Sequence, residues 1–237
     1  MRNLGFSTGA IALGDFRLAL RSLVPFHLKS IELSALRLQE IDPLLDAIPS
    51  LDLSQYEYIS IHAPSSFSPE QEIWLSRRLH YSVPEAWRIV IHPDSIIDFN
   101  NWKCFGPRIA IENMDRRKGI GRTARELSAI MSELPQASLC FDIGHACQFD
   151  PSMTEAFLIL TAFRHKLVQV HLSEVNSRSQ HERVSYTSQL AFSQVASLIP
   201  DSTPVIVESR VDLTQIGSEI GNARRVLPDI GTVSFDS

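Results

Sequence analysis

The feature that most constrains this chain is a rhythm. Eight short segments rich in Ile, Val and Leu recur along it: Leu4–Gly9, Ser30–Leu36, Tyr58–Pro64, Arg88–Asp94, Arg108–Met114, Ser138–Ala146, Leu167–Val175 and Pro204–Arg210. Several are continuous apolar runs rather than alternating ones, the pattern of strands covered on both faces. Their starts lie 26, 28, 30, 20, 30, 29 and 37 residues apart, enough in most intervals for a strand, a helix and two loops. Helical patterns fill the intervals. Thr123-Ala124-Arg125-Glu126 reads as a capping box opening a helix that stops near Pro135, and Ser152-Met153-Thr154-Glu155 as a second box ahead of Ala156–Phe163. Further helices are expected at Phe16–Leu23, Glu70–Leu79, Ser188–Leu198 and Leu213–Val226.

Eight βα units in 237 residues fit a closed (β/α)8 TIM barrel, an α/β fold of eight parallel strands surrounded by helices, better than an open doubly wound sheet. No composition break or low-complexity linker interrupts the rhythm, so residues 1–237 are expected to form one domain. The fourth unit leaves room only for a stunted helix around Ser95–Cys104. The longest interval follows the seventh strand and is expected to hold an active-site loop. No glycine-rich phosphate loop follows the first strand, which argues against a dinucleotide-binding fold.

Charge and cysteine content narrow the partners. A formal charge of −5 gives little sequence-independent grip on nucleic acid. Cys104, Cys140 and Cys147 are odd in number and lack paired zinc-site spacing, as expected of reduced thiols in a cytoplasmic protein. The chain opens directly into a strand-like run without a signal-peptide core, and no apolar run approaches the ~20 residues of a membrane span.

The strand ends carry the chemistry. His62 ends the third strand, His92 the fourth and Glu112, followed by Asn113, the fifth. Asp142 and His145 close the sixth, His171 the seventh, with His181 in its loop, and Glu208 the eighth. A single histidine at a strand end is usually an ordinary surface or core residue, and a single carboxylate usually a cap. Five histidines and three carboxylates at six equivalent points of one repeat are another matter, because a barrel brings those C-terminal tips together on one face. Imidazole with carboxylate suits zinc, manganese or iron. His27, His80 and His165 sit in helical or connecting stretches and are assigned no site role.

The tips His62-Ala63-Pro64, His92-Pro93, Glu112-Asn113, Asp142-Ile143-Gly144-His145, His171-Leu172 and Glu208 resemble those of the xylose isomerase-like TIM barrels. That superfamily includes endonuclease IV, hydroxypyruvate isomerase, inosose dehydratase and the ketose 3-epimerases. The resemblance spans essentially the whole chain. It implies a central divalent ion held by Glu112, Asp142, His171 and Glu208. By similarity to the trinuclear zinc cluster of endonuclease IV, His62 and His92 would join Glu112 around a second ion, and His145 and His181 would belong to a third. That third site should carry an aspartate two residues before its last histidine, where this chain has Ser179. His145 and His181 could instead contact substrate, as the Asp-x-x-His histidine does in the epimerases. One to three ions of zinc or manganese are therefore expected.

Two chemistries follow. With one ion, Glu112 and Glu208 could shuttle a proton on carbon, with His145 assisting, in an isomerase, epimerase or lyase acting on a small sugar, polyol or sugar phosphate. With several ions, phosphoester hydrolysis of the endonuclease IV type becomes available. The ketose 3-epimerases carry a glutamate where this chain has Lys118 and an arginine where it has Ser177. Arg116, Arg178, Arg183 and Arg210, with Asn113, are candidate substrate contacts; Arg117 and Lys118 extend the basic run, and an arginine can grip phosphate bidentately. The loops Gly9–Asp15, Leu36–Ile41 and Ser65–Pro69 are short, with Phe67 the one apolar wedge in the last. That favours a small molecule, phosphorylated or not, over a nucleic-acid duplex. The sequence favours the isomerase-type reading, then the hydrolase, and lastly an inactive metal-binding module.

Overall fold

The computed structural model describes residues 2–228. Its strands are β1 (Leu4–Ser7), β2 (Ser30–Ser34), β3 (Tyr58–His62), β4 (Arg88–Ile91), β5 (Ile109–Glu112), β6 (Ser138–Asp142), β7 (Leu167–Leu172), β8 (Glu174–Val175), β9 (His181–Glu182) and β10 (Val205–Val207). Among the described residues, β1–β7 and β10 are parallel and close into a barrel in the order β1-β10-β7-β6-β5-β4-β3-β2. The fold is thus the expected (β/α)8 barrel. The short β8 and β9 pair antiparallel as a ribbon in the long interval after β7.

Strand alternation divides the apolar residues into two sets. Ile89, Ile91, Ile109, Ile111, Leu139, Phe141, Val170 and Leu172 join the large core packed under the helices. Val90, Ala110 and Cys140, one residue out of phase, form a small separate cluster. Continued along each strand, that second phase runs from Ala110 to Glu112 and from Cys140 to Asp142. It is the interior phase, and it delivers the tip residues to the barrel axis.

The ladders end earlier than the sequence pattern suggests. The sixth segment was expected to run to Ala146, but pairing stops at Asp142, and Ile143–Phe149 forms a helix, α6 once α1 (Thr8–Ala12), α2 (Phe16–Leu23), α3 (Leu38–Ala47), α4 (Pro69–Ser82) and α5 (Ala124–Glu133) are counted. The cause is local. The Asp142 carboxylate accepts the His145 backbone N–H at 2.6 Å and caps the new helix. Gly144 is required in that turn, since a Cβ there would lie 2.3 Å from the Ser173 carbonyl oxygen.

Six other expectations need adjustment. The stretch Leu36–Ile41, expected as loop, runs into α3, which tolerates Pro43 in its second turn. Likewise α1 begins at Thr8, inside the expected first strand, and runs through much of the expected first loop. The helix α7 (Thr154–Phe163) is capped by Asp150, whose carboxylate accepts the N–H groups of Ser152 and Glu155, and not by a Ser152 box. The segment expected as one helix from Ser188 is α8 (Tyr186–Ser193) followed by a 3-10 turn at Ala196–Leu198. The last helix, α9 (Ile216–Val226), is preceded by a 3-10 turn at Leu213–Gln215. The fourth unit has no α-helix, only 3-10 turns from Pro93 to Arg108.

Candidate metal centre

Glu112 is the hub of the barrel's C-terminal face. Its carboxylate is buried, and four histidines from four strand ends surround it. One oxygen, Oε2, lies 3.1 Å from His62 Nε2 and 3.4 Å from His92 Nε2. The other, Oε1, lies 3.2 Å from His145 Nδ1 and 3.3 Å from His171 Nδ1. His171 Nδ1 also approaches Glu208 Oε2 at 3.2 Å, and His181 Nδ1 approaches the same oxygen at 3.6 Å. The ribbon β8–β9 is what returns His181 to the site.

Among the described residues, and apart from a fourth group that includes the Cys140 thiol, the potential ligands fall into three adjoining groups, each with its donor atoms within 4.8 Å of one another. The first is His62, His92 and Glu112; the second is Glu112, Asp142, His171 and Glu208; the third is Asp142, His145 and His181. Glu112 links the first two, and Asp142 links the last two. All eight strand-end residues proposed from sequence therefore converge.

Whether these residues suit divalent ions can be tested on their unsatisfied atoms. Buried polar atoms nearly always find partners, yet Asp142 Oδ2, His171 Nδ1 and His92 Nδ1 are buried without a hydrogen bond. These three atoms belong to the three groups; Glu32 Oε1 and Tyr56 Oη, also buried without a hydrogen bond, lie outside them. Several remaining contacts fix ring orientation. The carbonyl of Ala63 lies 2.9 Å from His62 Nδ1, and that of Asn113 lies 3.0 Å from His145 Nδ1. A carbonyl can only accept, so those nitrogens carry the protons and leave Nε2 for a ligand. The residues fit zinc or manganese on donor type. Cys140, left out of the sequence-based set, also comes near Glu112 and His171. Burial is the main force pushing its thiol well above the usual range.

Packing so many ionisable groups together moves them all. Burial disfavours the charge on Glu112, but the positive fields of His171 and His92 and the close approach of the His145 and His171 ring nitrogens win, holding its carboxyl well below the ordinary value. Burial likewise opposes protonation of His62 and His145. The carboxylates beside them prevail, raising His62 to about 9 and His145 to about 10. Glu208 is pushed up, first by burial and then by the negative charge of Glu112, against the pull of His171. Asp142 is also raised by burial, which His145 only partly offsets. His181 is pushed down by burial and then by positive His145.

The flanking candidates separate. Asn113 is fully buried and faces the barrel wall: its amide donates to the Asp142 carbonyl and accepts the Asp142 N–H, both at 2.8 Å. Arg183 turns away to Glu219 and Ser218. Arg116 reaches the Phe149 carbonyl, Arg117 the Arg178 carbonyl, and Lys118 pairs with Asp94. Arg178 is exposed. Arg210 lines a cavity of about 240 Å³ over the cluster, with Ser7, Leu36, Ser65, Gln180, His92 and His181 among its other walls. Ser179 also lines it, with φ of 60°, and donates to the buried Asp115 carboxylate at 2.8 Å.

Sequence reasoning missed Glu32. It is fully buried on β2, and its Oε2 lies 3.0 Å from His171 Nε2. Lying in mid-strand rather than at a tip, it lacks the positional signal that marked the others.

No family model matches the chain, and no curated protein matches it. Solved structures do. A protein described as a sugar phosphate isomerase/epimerase from Anabaena variabilis superposes with a TM-score of 0.58 at 15% identity, covering 94% of this chain and 88% of that one. The structure of SacUVDE superposes with a TM-score of 0.55 at 14% identity, covering 88% and 83%. A protein described as the 3-DHS dehydratase AsbF of petrobactin synthesis from Bacillus anthracis gives 0.57 at 10% identity, covering 95% and 97%. These likenesses extend over most of the chain and concern the barrel fold.

Proposed function

We propose that this protein is a metal-dependent phosphoester hydrolase whose site holds two or three divalent ions and accepts a small substrate. One observation carries the reading: Glu112 is shared between a group completed by His62 and His92 and a group completed by Asp142, His171 and Glu208. A one-ion isomerase has no need of two further imidazoles within 3.4 Å of the same carboxylate oxygen. Bound ions of this kind supply Lewis acidity, polarising phosphoryl oxygens and lowering the pKa of a water.

The chain's own residues divide the remaining work. Glu112, common to the first two groups, would hold ions in both and set their spacing. Asp142, common to the second and third, would do so for those two. Arg210, at the cavity wall, offers a guanidinium that grips a pair of phosphate oxygens. His181, held below its ordinary pKa, stays neutral, with Nδ1 hydrogen-bonded to Ser173 Oγ at 2.8 Å and 3.6 Å from Glu208. The cavity volume of about 240 Å³ favours a nucleotide-sized or smaller molecule over a duplex.

A second reading is isomerisation, epimerisation or elimination on a small sugar, polyol or sugar phosphate. The observation behind it is Glu208, which stands at the cavity with its carboxyl raised by burial and is thus able to hold and release a proton. The descriptions of the Anabaena and Bacillus proteins agree with that reading.

Stoichiometry separates the two. Chelator-stripped protein is reloaded with zinc or manganese, the ions per chain are counted by mass spectrometry, and bis(p-nitrophenyl) phosphate turnover is followed. The hydrolase reading expects at least two ions per chain, with His62→Ala and His92→Ala each lowering the count and abolishing turnover. One ion per chain, unchanged by both substitutions and without turnover, returns the case to the isomerase.

A further inference from the structure

The interior of a TIM barrel is ordinarily filled by branched apolar side chains. Beneath this site it is polar. Glu32 on β2, Ser60 on β3 and Gln169 and His171 on β7 are all fully buried and touch one another across the barrel. The Gln169 amide donates to Glu32 Oε2 at 2.7 Å, and Ser60 Oγ donates to the same oxygen at 3.2 Å. Tyr58 donates to Gln169 Oε1 at 2.8 Å and so fixes which end of the amide faces Glu32. A buried carboxylate carries a desolvation cost of several kcal/mol, which a purely space-filling role does not explain.

The orientation of His171 supplies the reason. Its Nδ1 faces Glu112 and Glu208 and has no hydrogen bond, whereas its Nε2 lies 3.0 Å from Glu32 Oε2. The Gln169 nitrogen is also close to Nε2, at 2.6 Å, so two tautomers compete. If the amide donates to Nε2, the ring proton sits on Nδ1 and blocks the ligand position. If Glu32 accepts from Nε2–H, the Nδ1 lone pair is free. A carboxylate is the stronger partner for the ring N–H, since charge-assisted hydrogen bonds are roughly twice as strong as neutral ones.

We propose that Glu32 is a positioning residue: it holds the Nε2–H tautomer of His171 and thereby readies Nδ1 to bind the divalent ion shared with Glu112, Asp142 and Glu208. Gln169, Ser60 and Tyr58 keep Glu32 in place. Glu32 itself belongs to none of the candidate ligand groups. The inference rests on the metal-centre reading above.

The test is zinc affinity, measured by competition with a chromophoric chelator, for the wild-type chain, Glu32→Gln and Glu32→Asp. Replacing an outer partner of a ligating histidine typically costs about 10–100-fold in metal affinity. Glu32→Gln is expected to lose that much at the strongest site, and Glu32→Asp to recover part of it. Nitrogen-15 labelling of the histidines gives a readout that needs no variant: zinc-loaded wild type should show His171 protonated at Nε2. Zinc-loaded wild type with His171 protonated at Nδ1, or a folded Glu32→Gln that binds zinc as tightly as wild type, overturns the proposal. Wild type that binds no zinc fails the metal-centre reading instead.

Discussion

Asn113 offers the sharpest test of how the site is built. The β5–β6 ladder ends at the pair Glu112↔Cys140. Beyond it the Asn113 side chain acts as one more rung, exchanging two hydrogen bonds of 2.8 Å with the backbone N–H and carbonyl of Asp142. Asn113→Leu keeps the approximate volume and removes both bonds. It strands a buried N–H and a buried carbonyl at full desolvation, at about 1–3 kcal/mol each. The expected loss is therefore about 2–6 kcal/mol. For a chain of this size 1 kcal/mol lowers the melting temperature by roughly 2–4 °C, so a central value of about 4 kcal/mol corresponds to a fall of about 8–16 °C. Unfolding followed by circular dichroism in excess chelator isolates this from metal binding. Repeated with zinc, the variant should also bind more weakly, because Asp142 loses its anchor. An Asn113→Leu protein within about 0.5 kcal/mol of wild type in chelator would refute the rung and restore Asn113 as a candidate substrate contact.

Three further outcomes follow from the site. Because His62 and His145 are raised to about 9 and 10 before an ion is bound, both carry protons at neutral pH; ligation must expel them. Zinc affinity should climb as pH rises from 6 towards 9, with proton release detectable by calorimetry in buffers of different ionisation enthalpy, and a flat profile would count against these ligands. Ser179→Asp should raise affinity at the His145–His181 group, while lowering ion-free stability because the new carboxylate faces Asp115, now 2.8 Å from the serine hydroxyl; unchanged stoichiometry and affinity would separate residue 179 from that site. Arg210→Ala should raise KM for a phosphorylated substrate severalfold with the ion count unchanged, whereas Arg183→Ala, removed from the cavity by its contact with Glu219, should leave KM alone. The reverse result would mean that the loop after β7 rearranges on binding.

The eight-unit rhythm was legible in the sequence because local chemistry writes it: continuous apolar runs mark covered strands, and the intervals between them set the connections. The convergence of His62, His92, Glu112, Asp142, His145, His171, His181 and Glu208 was legible for a topological reason, since equivalent ends of a closed parallel barrel must meet. Capping was only partly readable. Asp150 displaced Ser152 because both lie near the start of α7, and the backbone path chose between them. Tertiary structure alone decided where side chains beyond the tips would point. Arg183 and Arg210 occupy comparable loops, yet a buried Glu219 draws one away while the other stays at the cavity. Glu32 and His171 are 139 residues apart in the chain. Their meeting depends on the curvature of the closed barrel, which no local pattern of hydrophobicity encodes.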